Sequence, residues 1–534
     1  MLIRLINRIK RLLSKDMSDN SSSNTIAKQL SRELEQNLTQ ISAGLGQSSD
    51  LVIRKFTINM DKKRDAAIVY IDGLVDKTVI NADILRPLMI DAVKLKSTRK
   101  ADNLEKDLLW LKNYLITAND ISWNTNLEEV VSAILKGNTA LFVQGYMKAL
   151  QINSKGWEKR AINEPQTELV LKGPRDGFIE DLRTNTAILR RKIGHPALTL
   201  KALQIGQKTR TAINIAYITG VVRDDMVTEV CQRLRRIDTD AILSAEYISE
   251  FIEDAPFSIF PTTAYTERPE VVAAKILEGR VAIMMDGSPS VYTVPTLFME
   301  SFQSADDYNI RPFYASLIRS VRLLSFVLTS LLPATFVALT TFHQELIPTP
   351  LLITISASSD RTPFPAAIEI IGMGFVFEVL REAGLRMPRP FGPAVSIVGG
   401  LVIGEATVGA GLIGEPTVIV IALTAIASYV VFFQAEVSVF IRLGLVVLAG
   451  FFGLYGILLG VFLMVIHLAS LRSFGVPYLS PLGPLMKDDL KDTLFRIPHW
   501  AMINRPSSLE PQDQVRQKKG LRPESPGNKR IDNG

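Results

Sequence analysis

The chain has 534 residues, 47% hydrophobic and 21% charged, with a formal net charge of +6. That length excludes one ordinary domain, and the mix suits a chain whose soluble and membrane parts are segregated. A lone cysteine, Cys231, excludes an intramolecular disulfide framework and any cysteine-based zinc site, while His195, His343, His467 and His499 are too scattered for a metal motif. No cofactor and no metal is expected. The basic excess fits a membrane surface, and no nucleic-acid-binding stripe is visible.

Residues 1–15 place Leu2, Ile6, Ile9 and Leu13 on one helical face, with Arg4, Arg8, Arg11 and Lys15 elsewhere. Arg4 and Arg8 interrupt the apolar core that a signal peptide needs. The stretch reads as a basic amphipathic helix on an anionic membrane surface or as a frayed basic terminus. Ser18–Asn24 is a flexible linker by composition.

From Leu51 to about Asp307 apolar strand candidates alternate with helical stretches. Strands are expected at Leu51–Ile58, Ala66–Ile71, Thr139–Val143, Glu168–Lys172, Thr211–Ile218, Val281–Met285 and Val291–Val294. Helices are expected at Ile84–Val93, Leu127–Leu135, Glu180–Arg191, Asp225–Arg236, Ala241–Ile252 and Pro269–Glu278. The pattern predicts an α/β domain with room for two subdomains. Gly173–Phe178 (GPRDGF) could cradle phosphate at a helix N-terminus, but a structural turn is the better reading. Asp286–Gly287 between two apolar runs signals a hairpin. No nucleophile triad, carboxylate pair or nucleotide fingerprint is present, and the chain does not read as an enzyme.

Leu323–Phe342 is charge-free and long enough to span a bilayer, with Pro333 as a kink candidate. Thr362–Leu380 is a weaker span because it carries Glu369 and Glu378, which lie nine positions apart and point opposite ways on a regular helix. Phe391–Ile413 is rich in glycine (Gly399, Gly400, Gly404, Gly409, Gly411) and contains Glu405; such glycines are candidates for close membrane packing. Thr417–Phe433 and Leu445–Ile466 are further spans, separated by Glu436 and Arg442, and Glu415 precedes the first of them. Arg311, Arg319 and Arg322 before the first span, and Arg381, Arg386 and Arg389 after the second, mark cytoplasmic flanks. Five crossings would leave the C-terminus outside, against its basic residues Arg472, Lys487, Lys491 and Arg496. A re-entrant 391–413 or a helical pair within Glu436–Leu471 would each remove the conflict.

Carboxylates at membrane depth cost about 2.5–3.5 kcal/mol each on insertion scales and usually face a protein interior or water. Glu369, Glu378, Glu405 and Glu415 are therefore ion-path candidates, able to form acidic rings in an oligomer. Alternatively they cap helices, pair with Arg381 or Arg386, or sit at interfaces. The division is thus an amphipathic terminus and linker (1–50), a soluble α/β domain (51–310) with a break near 150–165, and a helical membrane domain (311–475) with about four to six segments. A juxtamembrane segment (476–504) and a disordered tail (505–534) follow. No internal repeat is visible.

Several long stretches, in this order, resemble the A subunit of the GerA-type spore germination receptors: Glu164–Ile193, Arg268–Pro289, Pro363–Pro388, Ile397–Ile413, Ile421–Tyr429 and His467–Pro481. Similarity covers roughly residues 50–505. The resemblance implies a multi-pass subunit of the spore inner membrane with a large cytoplasmic N-terminal domain. It also implies partners: a transporter-like B subunit, a C lipoprotein and further copies of itself, in a receptor whose activation starts ion release. The A subunit would form or gate the cation conduit; a scaffold without its own pore, or a relative of stage V sporulation protein AF, are the alternatives.

Overall fold

The computed structural model describes residues 29–59, 63–92, 109–118, 120–156, 165, 168, 170, 172–387, 392–431 and 434–523. The chain divides into two units: Met1–Leu169, Pro174–Phe251 and Tyr265–Thr293 form the first, and Val170–Gly173, Ile252–Ala264 and Val294–Gly534 the second. The basic N-terminal segment lies outside the described residues.

The first unit holds two sheets. In chain order the first half runs α1 (Leu34–Gly44), β1 (Leu51–Asn59), β2 (Lys63–Ile71), a helical stretch from Lys77 to Asp91, β3 (Ile121–Asn124), α2 (Leu127–Leu135), β4 (Asn138–Val143) and β5 (Ala149–Asn153). The second half runs α3 (Leu182–Lys192), β6 (Leu198–Ile205), β7 (Thr211–Ile218), α4 (Asp224–Arg235), α5 (Ala245–Ile252), β8 (Ala264–Thr266), α6 (Pro269–Leu277), β9 (Val281–Met285) and β10 (Val291–Val294). The strand orders are β1-β2-β4-β5-β3 and β6-β7-β9-β10-β8. Element succession and strand order thus coincide, a duplication of topology that the side chains do not betray. The pairings of β1 with β2, β2 with β4, β4 with β5, β6 with β7 and β7 with β9 are antiparallel. The unit is α/β in content, and these pairings of its sheets are antiparallel.

The apolar runs of β2 and β4 follow from burial on both faces. Ile68 and Leu141 enter a core with Ile80, Ile84, Leu88, Leu111 and Leu115. Their neighbours Val69 and Phe142 point the other way, into a core closed by Leu34, Leu38 and Ile41 of α1 and Val130 and Ile134 of α2. Leu182, Leu189, Val272 and Ile276 cover Leu200, Ala216 and Met284 in the second half. The two halves are pinned by a buried ion pair. Arg190 donates to both carboxylate oxygens of Asp50 (3.0 and 2.9 Å), to Ser48 Oγ (3.0 Å) and to the Leu198 carbonyl (2.7 Å).

The expected strand at Glu168–Lys172 is not formed: residues 168, 170 and 172 lie outside any strand. Instead Arg268 reaches the Glu168 carbonyl (2.9 Å) and the Pro174 carbonyl (3.1 Å), holding this stretch by side-chain hydrogen bonds. The Glu168 carboxylate accepts from Thr266 Oγ1 (2.7 Å), and burial pushes its pKa above the ordinary range, more than Thr266 and Arg268 lower it. The fold therefore favours the protonated form. Its contribution is full below the ordinary glutamate range and lost as pH rises through the raised value. Glu168→Gln is expected to leave thermal stability at pH 7 unchanged or slightly raised and to flatten its decline across the mildly acidic range. A melting temperature several degrees lower at pH 7 would refute this.

In the second unit α7 (Pro312–Thr341), α8 (Thr349–Ser359), α9 (Ala366–Arg386), α10 (Gly392–Gly409), α11 (Glu415–Val430) and the long helical stretch α12 (Ala435–Ser470) follow one another. Pro333 is accommodated within α7. Two of these, α7 and α12, are long and apolar enough to cross a membrane, and α11 is a shorter apolar helix. The span expected at Leu445–Ile466 begins ten residues earlier, and it is not one straight rod. Gly453 leaves helical geometry (φ 59°, ψ −141°). A β-carbon on Gly460 would lie 2.5 Å from Leu445 Cδ2, and one on Gly456 2.2 Å from the Leu448 carbonyl oxygen. In a straight helix positions 445 and 460 stand about 22 Å apart. The two arms, 435–452 and 454–470, therefore fold back on each other as a helical pair.

Directions within this unit follow from the contacts. Alpha-7 begins beside Asp492 and ends with Phe342 against Gly453. The start of α9 lies at Gly450 and its middle at Arg442. Near its end α10 meets Val418 at the start of α11, and Gln434 after α11 donates to Ser301 (2.7 Å). Successive helices α7, α9, α10, α11 and the two arms of α12 make six alternating passages.

The C-terminal residues return to the start of α7. Arg319, fully buried, donates to Asp307 (2.9 Å), to the Asp492 carboxylate (2.9 Å) and to the Thr493 carbonyl (2.9 Å). Arg322 also pairs with Asp307 (2.9 Å), Arg496 donates to the Asp307 carbonyl (2.7 Å), and both Arg319 and Arg496 lie over the Tyr308 ring. The basic flank read from the sequence is thus largely neutralised within the chain. The segment expected to be disordered from Arg505 takes a hydrogen-bonded course as far as it is described. Asp489 accepts from the Ser507 and Ser508 amides (both 2.8 Å), and Arg516 donates to the Ile503 carbonyl (2.8 Å). Its order comes from polar contacts, which an apolar-pattern reading does not register.

Candidate functional site in the helical unit

The four membrane-depth carboxylates fall into two kinds. Glu369, on the first turn of α9, is buried and points at the N-terminus of α11. One of its oxygens accepts from the Gly414 amide (3.1 Å) and from Thr417 Oγ1 (2.7 Å). It serves as a side-chain cap supplied by a neighbouring helix, answering amides that α11 leaves unpaired and the positive end of its dipole. Glu378, two and a half turns on, sits between two arginines: Arg381 on its own helix (2.6 Å) and Arg442 in the first arm of α12 (2.6 Å). The pair with Arg442 is why that arginine can lie inside the helix instead of marking its boundary.

Glu405 on α10 and Glu415 on the first turn of α11 are exposed and meet no partner among the described residues. The structure brings Glu369 near Glu415 through the Gly414 turn, and leaves Glu378 apart from both. Of the glycines expected to pack, Gly404 receives Val418 Cγ1 (3.6 Å from a β-carbon placed there) and Gly411 lies near the Arg361 carbonyl (3.4 Å). Gly400 and Gly409 face open space within the chain, and Gly399 lies in α10. Among the described glycines of these helices the tightest approaches are at Gly453, Gly456 and Gly460, which sequence reasoning passed over. The recurrence of glycine through residues 444–460 was the signal.

The phosphate reading of GPRDGF does not fit the geometry. The N-terminus of α3 is already occupied by carboxylates, with Asp181 accepting from the Thr184 amide (2.6 Å) and Asp286 from the Leu182 amide (3.2 Å). Arg190 is sealed against Asp50. Asp286, read as part of a hairpin turn, also fastens that turn to α3. His467 holds Ser258 (2.9 Å), a structural role.

An α/β unit in series with an apolar helical unit, whose buried charges are paired internally, defines a two-part protein with membrane-capable helices. The family described as Bacillus/Clostridium GerA spore germination protein matches residues 39–508, and the chain belongs to it. It is 43% identical to spore germination protein KA of Bacillus subtilis over 493 residues, 92% of this chain and 89% of that protein. It is 39% identical to the uncharacterized membrane protein YfkQ of the same organism, covering 93% of this chain and 94% of the other. Among solved structures it is similar to the N-terminal domain of the A subunit of the Bacillus megaterium spore germinant receptor GerK3, at 35% identity and a TM-score of 0.40, over 51% of this chain and 98% of that one.

Proposed function

We propose that this chain is the A-type membrane subunit of a germinant receptor and that several copies of it form or gate a cation conduit in the spore inner membrane. Glu405 and Glu415 line the approach to the path. The observation that carries the assignment is the split among the carboxylates. Glu369 and Glu378 are satisfied inside the chain, whereas Glu405 and Glu415 lie exposed beside apolar helices without a partner among the described residues. A carboxylate in such surroundings is tolerated where it faces water or another subunit, and copies around an axis give an acidic ring that attracts cations. The six alternating passages, taken as six crossings, put residues 472–523 on the same side of the bilayer as Pro312, in keeping with their basic residues. A B-type transporter-like subunit and a C-type lipoprotein are the partners this reading requires.

The test is cation flux through liposomes carrying the chain with those partners. Glu405→Gln is expected to reduce germinant-dependent flux several-fold or to shift its cation preference, with assembly intact. Glu369→Gln keeps an acceptor for Gly414 or Thr417 and is expected to change stability more than selectivity. Flux identical to the unsubstituted chain in Glu405→Gln and Glu415→Gln alike would reject the acidic path. No flux from an assembled complex would reject the conduit.

A further inference from the structure

Residues 255–260 (APFSIF) form a loop of the second unit that the proposed mechanism does not use. Phe257 is 100% exposed and Ile259 41% exposed, whereas Phe260 between them and the core is 1% exposed. The loop is fixed. Ser258 Oγ and His467 Nε2, on the second arm of α12, lie 2.9 Å apart, and the Phe260 amide donates to Ser258 Oγ (3.1 Å). A chain of ring contacts also links it to α7. Phe260 meets His467 (6.0 Å between centroids) and Phe298 (5.9 Å), and Phe298 meets Phe326 of α7 (6.1 Å). Phe326 stands four residues beyond Arg322, the last charge before the apolar run of α7, hence about 6 Å into that run along the helix axis.

We infer that residues 255–260 are a membrane-anchoring loop, with Phe257 and Ile259 inserted among lipid chains at the headgroup boundary. The inference rests on the reading that α7 and α12 cross a bilayer. Two observations converge on lipid as the occupant. The two apolar side chains are exposed on a loop rigidly held to a membrane-capable helix. They also continue a band of exposed apolar residues on the second arm of α12, Phe462, Leu463, Val465 and Ile466. An aromatic ring at the boundary between chains and headgroups is a favoured anchor, and a patch left bare in water would be an association hazard.

The experiment is nitroxide labelling of the full chain in phosphatidylcholine–phosphatidylglycerol liposomes, reading collision with oxygen against collision with a water-soluble nickel chelate. Labels go at Phe257→Cys and, separately, Ile259→Cys, with the buried Cys231 changed to alanine. Phe462→Cys serves as the lipid reference and the exposed Leu243→Cys as the aqueous one. The expected result is an oxygen-to-nickel ratio at 257 and 259 several-fold above that at 243 and approaching that at 462. Nickel access at 257 and 259 with 462 still in lipid would overturn the anchor alone. Access to neither probe would mean that protein covers the loop, and would overturn it equally. Nickel access at 462 as well would remove the membrane reading beneath it.

Discussion

Alanine at Arg319 is expected to cost the helical unit about 3–5 kcal/mol, the range for breaking a buried ion pair by removing one partner. The reason is what stays behind. Asp307, fully buried, keeps Arg322 but loses the Arg319 hydrogen bond, and the Asp492 and Thr493 carbonyls lose their shared donor. Arg319 also joins residues far apart in the chain, so the loss frees the C-terminal segment from the start of α7. The measurement is thermal unfolding of the detergent-solubilised full chain, with the yield of monodisperse protein recorded alongside. Arg386→Ala is the control. Its pair with Glu382 is exposed on both sides, and such pairs contribute at most about 1 kcal/mol. A double-mutant cycle with Asp492→Ala should return a coupling of about 0.5–3 kcal/mol. Equal, small shifts in Arg319→Ala and Arg386→Ala would show that the buried network is not what holds this end together.

What the side chains disclosed in advance was whatever depends on local pattern. The strands at 51–59, 211–218 and 281–285 are rich in apolar residues, with Val, Ile or Thr recurring in each, as a strand buried on one or both faces tends to be. The helix at 127–135 carries its own N-cap, Asn126, whose side chain accepts from the Glu128 amide (3.0 Å). The elements passed over are those whose pattern is weak: β8 has three residues, β3 four, and β6 mixes leucine with lysine, alanine and glutamine. Helix α1 was legible in principle, since Leu34, Leu38 and Ile41 recur at helical spacing. The roles of the carboxylates were legible only as alternatives. Glu378 with Arg381, three positions on, is a local pair. The arginine that buries it, Arg442, is 64 positions away, and so is invisible to any window. Glu369 as a cap for α11 depends likewise on a turn 45 residues downstream.

Alanine at Gly453 is expected to disrupt the helical pair and with it the side on which the C-terminal segment lies. At φ 59° and ψ −141° the residue occupies backbone space that a side chain resists at about 1–3 kcal/mol. The added β-carbon would also stand 2.9 Å from both Phe342 Cβ and His343 Nε2 at the end of α7. The competing conformation gains meanwhile, because alanine favours a helix interior over glycine by about 1 kcal/mol. A straight α12 of 36 residues would be about 54 Å long, beyond a hydrocarbon core of about 30 Å. The net bias of about 2–4 kcal/mol against the pair is enough to turn a single arrangement into a mixture or to send the chain to proteolysis. Gly444→Ala, where nothing lies within 4 Å of the new atom, should be harmless. The readout is a cysteine at the exposed Lys519, in chains with Cys231 changed to alanine, challenged from outside intact cells with a membrane-impermeant maleimide. Protection is expected in the parent and in Gly444→Ala. In Gly453→Ala either labelling of a fraction of the chains or a large fall in accumulated protein is expected. Full accumulation with complete protection in Gly453→Ala would mean that the turn between the arms does not depend on glycine there.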